Sequence, residues 1–378
     1  MLILGILIGL IVLVLLVVLH ELGHAIVAKR NGVVVEEFGI GFPPKAWGKK
    51  LKNGVLFTVN WLPLGGFVKL QGEHDAASKK GDYGAATFWQ KTKILFAGVL
   101  VNWVTAVILL TALAWTTGLP KIIADQYSVP GDTTITSSPV QIGSVTEGYP
   151  AKAAGLESGD KITRFAGEPI TTSQSLIDIS KEKRGETVTV EYQRGGETKT
   201  TEVALRDADS AVFGASLGQQ ETIKATWSAP LVGVVTTAQY TWVTIQGLGE
   251  LLYNFVGGLV GQLSFDATAR ENASEQLGEA GASVAGPVGI LGVIFPAASE
   301  AGPAQVVFLA AIVSLTLAVM NTLPIPALDG GRWFVTALFK LRKKTLTKEK
   351  EETIHGTGFM VLMLLIIVIT VADVIKFF

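Results

Sequence analysis

The chain has no cysteine among its 378 residues. That excludes a thiol nucleophile, thiolate metal ligands and any disulfide staple, while leaving the redox compartment undecided. Histidine is nearly as scarce, with only His20, His24, His74 and His355. Charged residues make up just 17% of the chain and its net charge is −1, and no nucleic-acid partner is expected. No basic segment precedes the first apolar run, and a cleaved leader would discard the histidine pair at its end. The run therefore reads as a retained membrane span.

What the chain has in quantity is apolar sequence, at 49% hydrophobic residues, enough for several membrane spans and one soluble domain. Residues 2–28, 94–118 and 359–377 are long and apolar enough to cross a bilayer. A fourth run, 304–323, is broken by Pro324 and Pro326. Lys and Arg crowd the segment from Lys29 to Lys93 and again from Arg332 to Lys350. The positive-inside bias puts both in the cytoplasm, the N-terminus outside, and the stretch between the second and third spans outside as well. Residues 229–263 are uncharged except for Glu250 but carry many Thr and Gln. They read as an interfacial amphipathic helix, because a crossing there would invert the third span.

The extracytoplasmic stretch alternates like strands at 140–145, 187–192 and 198–205, with a Gly195-Gly196 hairpin turn and helical spacing over 173–183. Residues 150–162 and the turn Gly167-Glu168-Pro169-Ile170 resemble a PDZ domain, and 213–217 fits the last strand of the circularly permuted bacterial form. Such domains bind peptide C-termini by strand addition, which makes those ends an expected partner at the groove. Residues 266–282 read as a surface linker. The expected organisation has four parts. Residues 1–120 hold two spans, the metal motif and a membrane-dipping hairpin, and 121–222 form the PDZ domain. Residues 223–303 hold the interfacial helix and linker, and 304–378 hold the last two spans. The fold class is a polytopic α-helical membrane protein of four spans with an inserted extracytoplasmic α+β domain.

His20-Glu21-Leu22-Gly23-His24 closes the first apolar run. Histidines four apart lie one turn from each other on one helix face, so both imidazoles can reach one metal ion with Glu21 beside them. This is the H-E-x-x-H arrangement of zinc peptidases, in which the Glu takes a proton from water. Polar groups inside a membrane helix are expensive and mark function, so the motif points to proteolysis within the membrane. A catalytic zinc needs a third protein ligand and an open position. Asp329 is the candidate, at the same depth as His24, on backbone broken by Pro324 and Pro326 and followed by Gly330-Gly331. His74 and His355 read as solvated loop residues.

The pairing of His-Glu-Leu-Gly-His with Asn321-Thr322-Leu323-Pro324-Ile325-Pro326-Ala327-Leu328-Asp329-Gly330 resembles the site-2 protease family of intramembrane zinc metalloproteases. The likeness is greatest to the bacterial RseP-like branch, with a single PDZ unit here. The resemblance implies one zinc per chain held by His20, His24 and Asp329, with Glu21 as general base. It also implies that Asn321 hydrogen-bonds substrate backbone and that Asn102 supports a ligand. Implied substrates are single-span membrane proteins, such as anti-sigma-factor-like proteins or signal-peptide remnants. The implied location is the bacterial inner membrane, with the active site toward the cytoplasm.

A transmembrane substrate must unwind to be cut, and its freed backbone groups need partners. Residues 55–69 read as an apolar hairpin dipping toward the lipid. Gly65, Gly66, Phe67 and Val68 are the expected substrate-binding edge. The competing readings are a second kind of membrane-embedded H-E-x-x-H peptidase, which would want a downstream Glu ligand, and a non-enzymatic PDZ scaffold or metal carrier in the bilayer.

Overall fold

The computed structural model describes residues 2–282 and 284–377. It divides into two compact units, Met1–Leu113 with Pro230–Phe378, and Ala114–Ala229.

In the helical unit, four helices among the described residues are long and apolar enough to cross a membrane: Leu2–Arg30, Phe88–Trp115, Pro303–Thr322 and Lys348–Phe377. The first buries Gly5, Gly9, Leu16, His20, Gly23, His24 and Ala28, a stripe at helical spacing, and turns Leu4, Leu7, Ile11, Leu15, Leu22 and Ile26 outward. Lipid offers no hydrophobic drive for helix association, so close packing over small residues decides which faces meet. A Cβ on Gly5 would strike Pro296, one on Gly9 would overlap Phe295, and one on Gly23 would press on Ala97 and Val101 of the second helix. The fourth helix is anchored near its end by buried Asp373, which accepts the backbone N–H groups of Gly286 (3.1 Å) and Gly289 (2.7 Å).

Residues 223–303 are largely helical. The helix Ala229–Gln262 meets the second apolar helix at Gly233 and Thr241. A Cβ on Gly233 would collide with Thr111, and eight residues further on Trp103 Nε1 donates to Thr241 Oγ1 at 3.1 Å. The small and hydroxylated residues that weaken this stretch as a hydrophobic span are the ones that let it pack closely on a neighbour. The expected linker is instead the helix Ala267–Ala282, which folds back so that Ala273 and Leu277 fill the space over Gly261 and Gly258. Here Ala and Glu propensity for helix outweighs the Gly and Ser content.

Residues Val35–Lys50 and Leu56–Leu70 pair antiparallel, but each strand bends and serves twice. Val35 to Ile40 pair with both Leu56–Val59 and Gly66–Leu70, while Lys45 to Lys50 pair with the outer side of the 56–60 segment. The result is a small sheet of four segments with 66–70 at one edge.

The second unit is built around a sheet in the order Ala215–Gly218, Val140–Val145, Lys161–Phe165, Thr187–Arg194, Glu197–Ala204. Helix Ser173–Glu182, capped by Thr172 accepting from Ser175 N–H at 3.1 Å, puts Leu176 into one buried cluster with Ile142, Ile162, Phe165 and Val190. Each such fully buried side chain is worth roughly 1.5–3 kcal/mol. The last strand lies beside the first, as expected of the permuted PDZ-like arrangement. Asp160 accepts both Arg194 Nε and an Arg194 Nη at 2.7 Å, which fixes the turn before Lys161.

Candidate metal centre

The first helix delivers His20 and His24 to its buried face, 7% and 6% exposed, with their rings edge to face. His24 Nδ1 lies 2.7 Å from the carbonyl oxygen of Ile94 in the second helix. A carbonyl only accepts, so His24 carries its proton on Nδ1 and presents a lone pair at Nε2. On His20, Nδ1 lies 3.3 Å from the side-chain amide of Asn102, which is 1% exposed. Asn102 Oδ1 is otherwise a buried acceptor without a partner. Turning the Asn102 amide over places Oδ1 on a His20 Nδ1–H and removes that orphan, leaving His20 Nε2 free as well.

Asp329 arrives from the far end of the sequence because the third apolar helix stops at Thr322 and Pro324-Ile325-Pro326 cannot continue it. A new helix, Asp329–Leu341, starts at the aspartate itself, where the positive helix end favours a carboxylate. Its first turn folds tightly on the chain before it: a Cβ on Gly330 would overlap the Thr322 carbonyl, and one on Gly331 the Ile325 carbonyl. Between them Ala327 takes φ +82°, a left-handed conformation that disfavours a non-glycine residue. Its N–H donates to His355 Nδ1 at 3.2 Å. His355 sits on the fourth apolar helix, half-buried, and not in a solvated loop.

Three acceptor atoms now face one point. Asp329 Oδ2 lies 3.1 Å from His20 Nε2 and 3.2 Å from His24 Nε2, and the two nitrogens are 3.1 Å apart. Three converging lone pairs repel unless a proton or a cation sits among them. Tetrahedral zinc with bonds of about 2.0–2.1 Å holds its ligand atoms about 3.3 Å apart, so this near-equilateral triangle fits that ion. Room for it depends on Gly98: a Cβ there would stand 2.5 Å from His24 Nε2 and 2.7 Å from His20 Nε2.

Glu21 is one residue on from His20, and its Oε2 accepts the backbone N–H of Val68 at 3.0 Å. Val68 lies on the 66–70 edge of the small sheet, and a Cβ on Gly66 would reach within 3.8 Å of Glu21 Cγ. Glu21, His24, Phe67, Val68 and Asp329 line one cavity of about 740 Å³. Its outer wall includes Glu73, His74, Glu351 and His355. Arg332, one turn beyond Asp329, ties this wall together by donating to Glu73 Oε1 at 2.8 Å and lying over the Tyr83 ring.

The structure thus gathers His20, Glu21, His24, Asn102, Asp329, Gly66, Phe67 and Val68. Gly65, at φ +100°, forms the bend leading into the edge. Asn321 Nδ2 donates to its own helix at Leu317 O, 3.0 Å away. Sequence reasoning did not find the Ile94 carbonyl, Gly98, Ala327 or His355 as parts of the site. A backbone acceptor leaves no side-chain signal, and a glycine in an apolar run has many reasons to be there.

Residues 8–365 match the model of peptidase family M50. A zinc-metalloprotease homologue from Clostridium perfringens is 32% identical, covering 95% of each chain. "Zinc metalloprotease RasP" of Geobacillus kaustophilus is 27% identical over 96% of each, and "Regulator of sigma-W protease RasP" of Bacillus subtilis is 25% identical over 96% of each. Among solved structures, the PDZ domain of an SdrC-like protein from Listeria monocytogenes is 28% identical. The match covers 24% of this chain and 93% of that one, with a TM-score of 0.19.

Proposed function

The chain belongs to peptidase family M50, the site-2 family of intramembrane zinc metalloproteases. From that premise we propose that His20, His24 and Asp329 hold its zinc and that Glu21 moves the protons of peptide hydrolysis. The observation that carries this reading is the triangle of three donor atoms 3.1–3.2 Å on a side, built from opposite ends of the chain. When bound, zinc supplies Lewis acidity, polarising a carbonyl and bringing the pKa of water to about 7.

Glu21 accepts the proton of the attacking water and returns it to the departing amine. The Val68 N–H orients the Glu21 carboxylate during both transfers. Ile94 and Asn102 orient the two imidazoles from behind. An unwound substrate adds as a strand along residues 66–70, with Phe67 and Val68 at the cavity and Gly65 and Gly66 allowing close approach. Asn321 joins the substrate backbone after leaving the Leu317 carbonyl.

The loops rich in Lys and Arg favour four spans with the N-terminus outside, the active site toward the cytoplasm and the 114–229 unit extracytoplasmic, in a bacterial inner membrane. Packing agrees with an even number of crossings between the second and third helices, since His24, Ile94 and Asp329 meet at one end of the bundle. The strand-rich unit acts as a PDZ domain for peptide C-termini. Substrates are single-span proteins, anti-sigma-factor-like ones or signal-peptide remnants, a choice supported by the sigma-W regulator among the relatives.

Glu21→Gln tests the assignment in purified, reconstituted protein. Zinc stays at one per chain while cleavage of a single-span substrate falls roughly 10²–10⁴-fold. Cleavage at the wild-type rate removes Glu21 from the chemistry.

A further inference from the structure

A second large cavity, about 830 Å³, has none of His20, His24 and Asp329 in its lining. The first, second and third apolar helices and Ala229–Gln262 wall it. Arg30 and Lys93 lie with Asn31 and Thr92 at one end of it along the second helix, and Val27, Phe96, Leu100, Trp103 and Ile245 line the rest, with Leu100 and Ile245 exposed. Both cations are exposed, and neither is paired with a carboxylate among the described residues. The groove descends the second helix from Lys93 to Trp103, ten residues or about 15 Å. There the indole is pinned by its hydrogen bond to Thr241.

We propose that this groove is a binding site for one anionic phospholipid, its phosphate held by Arg30 and Lys93 and an acyl chain lying against Phe96, Leu100, Trp103 and Ile245. Three observations select that occupant. The depth equals half of a hydrocarbon core of about 30 Å, the reach of one leaflet. A transmembrane peptide would need a groove running through both leaflets. The cations lie at the one end where a headgroup would sit, and basic pockets between membrane helices are the kind of site that takes such headgroups. The walls beyond that end are apolar, so a free phosphate would gain the cations and nothing else. The lipid would also brace the first and second helices beside the metal site, since Val27 is one turn from His24 and Ala97 adjoins Gly98.

The test uses full-length protein in mixed nanodiscs with spin-labelled lipids. Phosphatidylglycerol should associate more tightly than phosphatidylcholine, about fivefold per cation and about thirtyfold for the pair. Arg30→Gln with Lys93→Gln should abolish that preference, and millimolar inorganic phosphate should leave it intact. Leu100→Trp, which fills the groove and keeps both cations, should also remove the tightly held lipid. Zinc content reports that each variant is folded. A photo-crosslinker at Leu100 in native membranes should yield a lipid adduct. Equal association of the two lipids, displacement by phosphate, lipid retained in Leu100→Trp, or a peptide adduct at Leu100 would each overturn the proposal.

Discussion

Val68 donates its backbone N–H to the carboxylate of Glu21 at 3.0 Å, joining the edge of the small sheet to the proposed catalytic base. The two residues are 47 apart in sequence and belong to elements with unrelated patterns, a membrane helix and an apolar strand. The edge proposed for substrate is therefore also the one that holds the proposed base. A strand added there would sit directly over the site of chemistry.

Replacing Val68 by proline removes this donor. Cleavage should fall at least tenfold, on the order of a lost charge-assisted hydrogen bond, with zinc unchanged. Unaltered turnover in the Val68→Pro protein would show that neither strand addition nor the orientation of Glu21 depends on that N–H.

Gly98 provides the space in which two imidazole nitrogens and a carboxylate converge. Gly98→Ala should lose most of its zinc on purification while still inserting in the membrane, because the added methyl occupies the metal's volume. Full zinc content in this variant would refute the placement of the metal.

In the strand-rich unit, burial raises the pKa of Asp160, but the Arg194 hydrogen bonds, the Glu157 N–H and the Arg194 charge outweigh it and leave the pKa below the ordinary value of 3.8. A depressed folded pKa stabilises above the unfolded pKa and ceases to do so as pH falls through the folded one. Asp160→Asn should thus destabilise the unit by roughly 2–3 kcal/mol at pH 7. The gap to wild type should close below about pH 4, as thermal melts across pH would record. A gap independent of pH would mean that the loss is one of shape and not of charge.

Much of this was legible in the chain. Apolar run lengths set four helices, the four-residue histidine spacing set one face, and the two prolines before Asp329 set a break. Alternation and Gly195-Gly196 set the hairpin of the second unit. What escaped were relationships made by packing. Thr and Gln between 229 and 263 read as a surface-seeking face, yet Gly233 and Thr241 use smallness and a hydroxyl to fit against the second helix. His355 looked solvated because Lys and Glu surround it in sequence, whereas on its helix it points at the Ala327 turn. Asn321, expected to bind substrate backbone, donates to Leu317 O of its own helix, a partner that the residue pattern does not reveal.

The central claim is that Asp329 completes a metal site begun by His20 and His24. Zinc per chain, measured on purified Asp329→Ala protein after dialysis against a mild chelator, tests it directly. Far less than one zinc, beside one in wild type and in Glu21→Gln, is the predicted result. A full, tightly held zinc in Asp329→Ala would contradict it.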